Sequence, residues 1–136
     1  MRAIFVATAC AVALFGCGGA DPKENAEIGK ARAVVERFAA AGDASACDLL
    51  TDVALVDIYG NFTEQPAKAK ANCVKTAAGF KAGRITIIKS QVVDDLTARV
   101  VAHDADEKFT YSVTLRRTSA GKPWQIDSIA QAKLVK

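Results

Sequence analysis

Residues able to do chemistry are few in this chain of 136 residues. It has a single histidine, His103, and a lone imidazole invites a general-base role because it titrates near neutral pH. Strand parity groups His103 with Thr97, Arg99 and Val101, and against the apolar set Leu96, Ala98, Val100 and Ala102. It therefore reads as a solvent-facing residue at a strand end. The acids beside it, Asp104, Asp106 and Glu107, offer oxygen ligands to a hard cation. They lack the spacing of a calcium loop, and they fall where a hairpin turn is expected and Asp serves the backbone. No metal site and no cofactor is expected.

Proton abstraction needs a carboxylate facing an oxyanion-stabilising donor across a dry pocket. Ala41-Gly42-Asp43, Ala46-Cys47 and Trp124-x-Ile126-Asp127 resemble a superfamily with isomerase members, which place an acid and a Tyr or second acid inside a cone. The resemblance implies Asp57, Tyr59 and Tyr111 as inward candidates, with Phe109 and Trp124 as apolar lining. The helical period leaves Asp57 free to face either way, and Tyr111 and Trp124 read equally as core residues whose polar tips find a partner at its edge. No catalytic residue is assigned.

Composition closes off other classes. At 51% hydrophobic and 24% charged residues, the chain has the profile of one globular domain. A formal charge of +3, with no block of five like charges, is too weak a field for nucleic acid, and the aromatic residues are not interleaved with Arg as a base-stacking surface needs. Lys68, Lys70, Lys75, Lys81 and Arg84 make one basic side, read as a solvated face.

The first residues are biased differently. Arg2 precedes an uncharged apolar stretch, 3–15, which fits a signal-peptide h-region and is short of the roughly 20 residues that span a bilayer. Leu14-Phe15-Gly16-Cys17 resembles the lipobox of bacterial lipoproteins, whose Cys thiol takes a diacylglyceryl group and becomes the mature N-terminus. Leu14 and Gly16 match the pattern, whereas Phe15 stands where a small residue is commoner. The resemblance implies a signal peptide over 1–16, lipidated Cys17 with a short tether over 17–22, and a domain over 23–136. The protein would then be lipid-anchored in the cell envelope, on the extracytoplasmic face, with the membrane as its partner. The other reading is a secretory signal cut before Ala20 or Asp21.

Of four cysteines, Cys10 lies in the h-region and Cys17 is assigned to lipid. Cys47 and Cys73 remain, and an exported domain with two thiols most simply pairs them. There is no CxxC, so a metal or nucleophile role lacks support. Asn61-Phe62-Thr63 is formally a glycosylation sequon, read as coincidence.

Asp21, Pro22 and Glu24 form a helix start, with Asp as the cap and Pro at the first position. Ile28, Ala31, Val34, Val35 and Phe38 follow at the 3.6 period, and Gly42 ends the helix as a residue free to take positive φ. Asp43 or Ser45 caps a second helix carrying Cys47, Leu49 and Leu50, continued over 52–59 with Val53, Val56 and either Tyr59 or Leu55 inward. A third helix, 66–78, has Ala67, Ala71, Val74 and Ala78 as its stripe and Cys73 beside it. After Gly79 the period becomes 2. Strands are expected over 84–93, 96–103 and 108–117, with Phe109, Tyr111, Val113 and Leu115 on one face of the third. A fourth begins at Trp124, and Ile129 falls out of phase with Ile126, which implies a bulge or two-sided burial. Short connections make consecutive strands antiparallel hairpins, so the class is α+β: about three helices before a four-stranded meander.

Two loose signatures, Phe38-x-x-Ala41-Gly42-Asp43-x-x-Ala46-Cys47-x-Leu49-Leu50-Thr51 and Trp124-x-Ile126-Asp127, resemble small exported proteins of the NTF2-like superfamily, many of them Ala- and Val-rich actinobacterial lipoproteins. The resemblance spans about residues 24–132. It implies a curved sheet wrapped on a long first helix, with a conical cavity between them, and no particular activity. The expected function is a non-catalytic binding or accessory module for an apolar small ligand or an envelope protein. The alternatives are an isomerase- or cyclase-like enzyme of the same superfamily and a secreted cystatin-like inhibitor.

Overall fold

The computed structural model describes residues 22–61 and 64–134. The expectations for the signal peptide, Cys10, Cys17, the Asp21 cap and most of the sequon lie outside them. Helix α1 (Pro22–Ala40) presses Ala31, Val34 and Val35, each at most 4% exposed, against the sheet, with Phe38 half-buried beside them. Its end is held by the amide of Gly83 donating to Ala39 O at 2.7 Å. Gly42 is not at positive φ; among the described glycines only Gly121 is (φ 82°). The chain leaves α1 with backbone any residue can adopt, and the left-handed ending anticipated at Gly42 is corrected.

A 3₁₀ turn (Ala44–Leu49) follows, capped by Asp43, whose carboxylate accepts the Ser45 amide. Helix α2 (Asp52–Tyr59) is a separate element, because Leu50 leaves the helical path to form a parallel bridge with Ile126. Thr51 restarts the helix as its cap, accepting the Ala54 amide at 3.2 Å. The inward residues of α2 are Ala54 (0% exposed) and Leu55, whereas Val53 is 60% exposed. Gly60 ends α2 where a Cβ would meet Val56 O at 3.0 Å and the Ala69 methyl at 3.3 Å.

Helix α3 (Pro66–Thr76) and the 3₁₀ turn Ala77–Gly79 bury Ala69, Cys73 and Ala77. The expected stripe Ala67, Ala71, Val74 and Ala78 is exposed. The true stripe is shifted round the helix so that Cys73 lies at its centre, where it bonds to Cys47 and small alanines let α3 approach α2. Cys47 and Cys73 are bridged across a separation of 26 residues, both at most 1% exposed.

Strands β1 (Ile85–Asp94), β2 (Thr97–Asp104), β3 (Phe109–Arg116) and β4 (Gln125–Lys133) form one antiparallel sheet in the order β1-β2-β3-β4, not closed into a barrel. The inner face carries Ala98, Val100 and Ala102 of β2, Val113 and Leu115 of β3, and Ile126 of β4, all at most 3% exposed. Fully burying side chains such as Val100, Leu115 and Ile126 contributes roughly 1.5–3 kcal/mol each. Leu96, expected among the buried set, is 42% exposed because it sits in the β1–β2 turn, its amide bound by Asp94 Oδ1 at 2.8 Å. The register jumps from Thr114↔Ser128 to Leu115↔Ile126, so Asp127 is the extra residue of a bulge. That bulge brings both Ile126 and Ile129 to the inner face.

Candidate functional site

A cleft of about 260 Å³ opens between α1 and the inner face of the sheet. Helix α1 supplies Val35, Phe38 and Ala39; the strands supply Ile85, Ala102, Tyr111, Val113 and Ile129. Each is there for a local reason. The 3.6 period of α1 and the alternation of β2 and β3 point these side chains inward, and the Asp127 bulge turns Ile129 to the same side. Alanines at 39 and 102 leave the space that larger side chains would fill. The polar residues of its lining are Arg84, Asp104 and Tyr111, the first two beside the Ile85↔Asp104 pair at one end of the sheet.

Asp104 is a turn residue as much as a lining one. Its Oδ1 accepts the amides of Lys108 at 2.7 Å and Phe109 at 2.9 Å, closing the β2–β3 connection, in which Glu107 takes positive φ (52°). Tyr111 is half-buried, and its hydroxyl has no hydrogen-bond partner among the described residues. Arg84 is exposed and makes no ion pair among them.

The sequence candidates are dispersed. Tyr111 lines the cleft. Phe109 is half-buried on the same strand face, nearer the open end. Tyr59 lies in the helical layer, against Phe80 with ring centroids 6.3 Å apart, in a separate hollow of about 250 Å³ that shares only Phe38 and Ala39 with the cleft. Partial burial pushes its phenol above the ordinary 10.0. Asp57 is exposed on α2, since the inward arc of that helix runs through Ala54 and Leu55; its assignment to a cavity is corrected. Trp124 is buried at the far end of α1, away from the cleft. His103 is half-buried on the outer sheet face, between Thr86 and Thr110 in register. Among the described residues no group of three metal-ligating side chains comes together.

What the sequence reading missed is a charged cluster at that far end. Arg117 Nη1 donates to Glu27 Oε2 at 2.6 Å, Trp124 Nε1 donates to the same oxygen at 3.0 Å, and Lys30 Nζ donates to Oε1 at 2.9 Å. Arg117 Nε reaches Asp95 O at 2.7 Å, and the guanidinium stacks 4.2 Å from the Trp124 ring centroid, a favourable cation–π geometry. Hydrogen bonding from Lys30, then from Trp124, and the charges of Arg117 and Lys30 hold the Glu27 carboxyl below its ordinary 4.5, against an opposing contribution from burial. The signal was present: Glu27 is in phase with Ala31, Val34 and Phe38, and Arg117 continues the inward parity of Val113 and Leu115. Opposite charges in phase with two facing apolar surfaces are expected to pair.

A second clasp joins the helical layer to β4. Thr51 Oγ1 donates to Asp127 Oδ1 at 2.9 Å, Arg116 pairs with Asp127 Oδ2 at 3.2 Å, and the Thr51 amide donates to Ile126 O at 2.8 Å. Compared with protein-family models, with curated proteins and with solved structures, the chain matches none. The fold shown is α+β, with helices preceding an open four-stranded antiparallel sheet.

Proposed function

We propose that this chain is exported, held at the extracytoplasmic face of a membrane by lipid on Cys17, and used as a non-catalytic binding module with an NTF2-like arrangement of helix on sheet. One observation carries the binding reading: the cleft between α1 and the sheet is walled by Val35, Phe38, Val113 and Ile129, with small residues at Ala39 and Ala102. Such a concave apolar space with a few polar groups suits a small apolar ligand. The buried Cys47–Cys73 bridge is consistent with an oxidising compartment. No described helix is long and apolar enough to cross a membrane.

A second reading, an isomerase-like enzyme, is favoured by one fact: Asp104 and Tyr111 line the same cleft. It requires Asp104 as base, yet its Oδ1 already serves two backbone amides. Turnover of a small carbonyl substrate, lost in Asp104→Asn with the fold intact, would establish that reading over the first.

The binding reading is tested on the full chain in phosphatidylcholine vesicles, using a ten-carbon alcohol with a photoactivatable diazirine in its tail. Labelling should concentrate on peptides containing Phe38, Tyr111 or Ile129, saturate with probe, and fall about tenfold when Ala39→Leu narrows the cleft. Labelling spread over the surface and unchanged by Ala39→Leu would refute it. Intact mass should show diacylglycerol on Cys17, absent in Cys17→Ala.

A further inference from the structure

We propose that the cleft selects a single-tailed amphiphile with a carboxylate head, the head held by Arg84 and the Tyr111 hydroxyl and the tail lying along α1. The inference rests on the reading of the cleft as a ligand site and adds the class of ligand.

Four observations lead to it. Tyr111 is half-buried and no described residue pairs with its hydroxyl, so the hydroxyl is free to bond to a ligand in the cleft that the residue lines. Arg84 lines the same cleft, makes no ion pair among the described residues, and offers the planar fork that matches a carboxylate. The register Phe109↔Lys133 puts a second cation at the Asp104 end of the sheet, and Lys81 borders the adjoining hollow. The one acid lining the cleft, Asp104, has an oxygen occupied by the Lys108 and Phe109 amides, so the lining cation Arg84 stands beside a carboxylate that already has partners.

The size of the space restricts the tail. At about 260 Å³ the cleft is smaller than the roughly 300–1,000 Å³ of drug-sized pockets. That is room for one short chain and not for two. A cationic head would meet Arg84 unfavourably, and a neutral alcohol would use Tyr111 alone.

The test compares three ten-carbon diazirine probes, a carboxylate, an alcohol and a trimethylammonium, on full-length protein in phosphatidylcholine vesicles. Each yield at the cleft peptides is taken as the ratio of wild type to variant, so that partition into lipid cancels. Arg84→Gln should lower carboxylate labelling at least fivefold, leave the alcohol within twofold and leave the cation unchanged or raised. Tyr111→Phe should lower carboxylate labelling about threefold, and Ala39→Leu should lower carboxylate and alcohol labelling alike. Equal effects of Arg84→Gln on all three probes, or none, would overturn the carboxylate assignment while leaving the cleft as an apolar site. Failure of every probe to label the cleft would remove the cleft reading itself. Displacement of the carboxylate probe by added phosphatidylglycerol would overturn the single-tailed ligand in favour of a membrane lipid.

Discussion

Glu27 and Arg117, 90 residues apart in sequence, meet at 2.6 Å with the Arg117 side chain only 6% exposed. The pair ties the second turn of α1 to the end of β3, and through Arg117 Nε to the β1–β2 turn. It is the point at which the first helix is pinned to the sheet, at the end opposite the open end of the cleft.

Breaking that pair should cost more than an exposed ion pair would. Glu27→Leu leaves the guanidinium buried without its partner, and removing one member of a deeply buried pair costs roughly 3–5 kcal/mol. Glu27 itself is 21% exposed, so a loss of about 2–3 kcal/mol in urea unfolding is expected, between the buried figure and the surface one. The double variant with Arg117→Met should be less destabilised than the two single losses added, by about 1–2 kcal/mol of coupling. Additive losses would show that the contact carries no interaction energy.

The same carboxylate sets a pH dependence. Its native pKa lies below the ordinary 4.5, so the unfolded chain binds a proton more readily, and the stabilisation is complete above 4.5 and is lost as pH falls through the native value. Asp43 and Asp94 are lowered too, by hydrogen bonds from Ser45 and from the Leu96 amide. The urea midpoint should therefore decline on acidification below 4.5. Glu27→Gln should start lower at neutral pH and fall less steeply in that acid window. Parallel acid profiles for the two proteins would contradict the linkage.

Cys47 and Cys73 are buried between the 3₁₀ turn and α3. Their separation of 26 residues corresponds to a chain-entropy stabilisation of roughly 3–3.5 kcal/mol. The Cys47→Ala, Cys73→Ala double variant should lose about that much. Wild type should show no free thiol from either residue under denaturing, non-reducing conditions. Reduction should need denaturant, since both sulfurs are shielded, and ready reduction of the folded protein would count against the buried bridge.

The order of elements, the strand pairing, the bulge near Asp127 and the disulfide were legible because each rests on local period, turn chemistry or cysteine count. The inward arcs of the short helices were not. In α2 the buried residues are Ala54 and Leu55 and in α3 they are Ala69 and Cys73, with Val53 and Val74 outside. Helices only two or three turns long can be rotated by close approach at small residues, so hydrophobic size misleads there. The site was legible only in part for a related reason. Tyr111 follows from strand parity, whereas Arg84 and Ala39 matter through the space between distant elements, and Glu27 and Arg117 were passed over because charge was read as exposure. Glu27 shows that a charged residue in phase with an apolar stripe should be read as a pairing candidate first.

Thr51 does two jobs at once. Its hydroxyl oxygen accepts the Ala54 amide as the α2 cap at 3.2 Å and its proton goes to Asp127 Oδ1 at 2.9 Å, so the helical layer and the β4 bulge share one side chain. Thr51→Val keeps the shape and removes both bonds. Losing a cap costs about 0.5–2 kcal/mol, typically near 1, and leaving a half-buried carboxylate oxygen short of a donor adds to it. A total of about 1.5–2.5 kcal/mol is expected, with faster hydrogen exchange at the Ala54 and Leu55 amides. Thr51→Ser should keep most of the stability. Asp127→Asn should cost less than Thr51→Val, because the α2 cap survives it while the Arg116 pairing is weakened. If Asp127→Asn instead speeds exchange in α2 as much as Thr51→Val does, the cap depends on the bulge, and Thr51 acts chiefly as a rivet between layers.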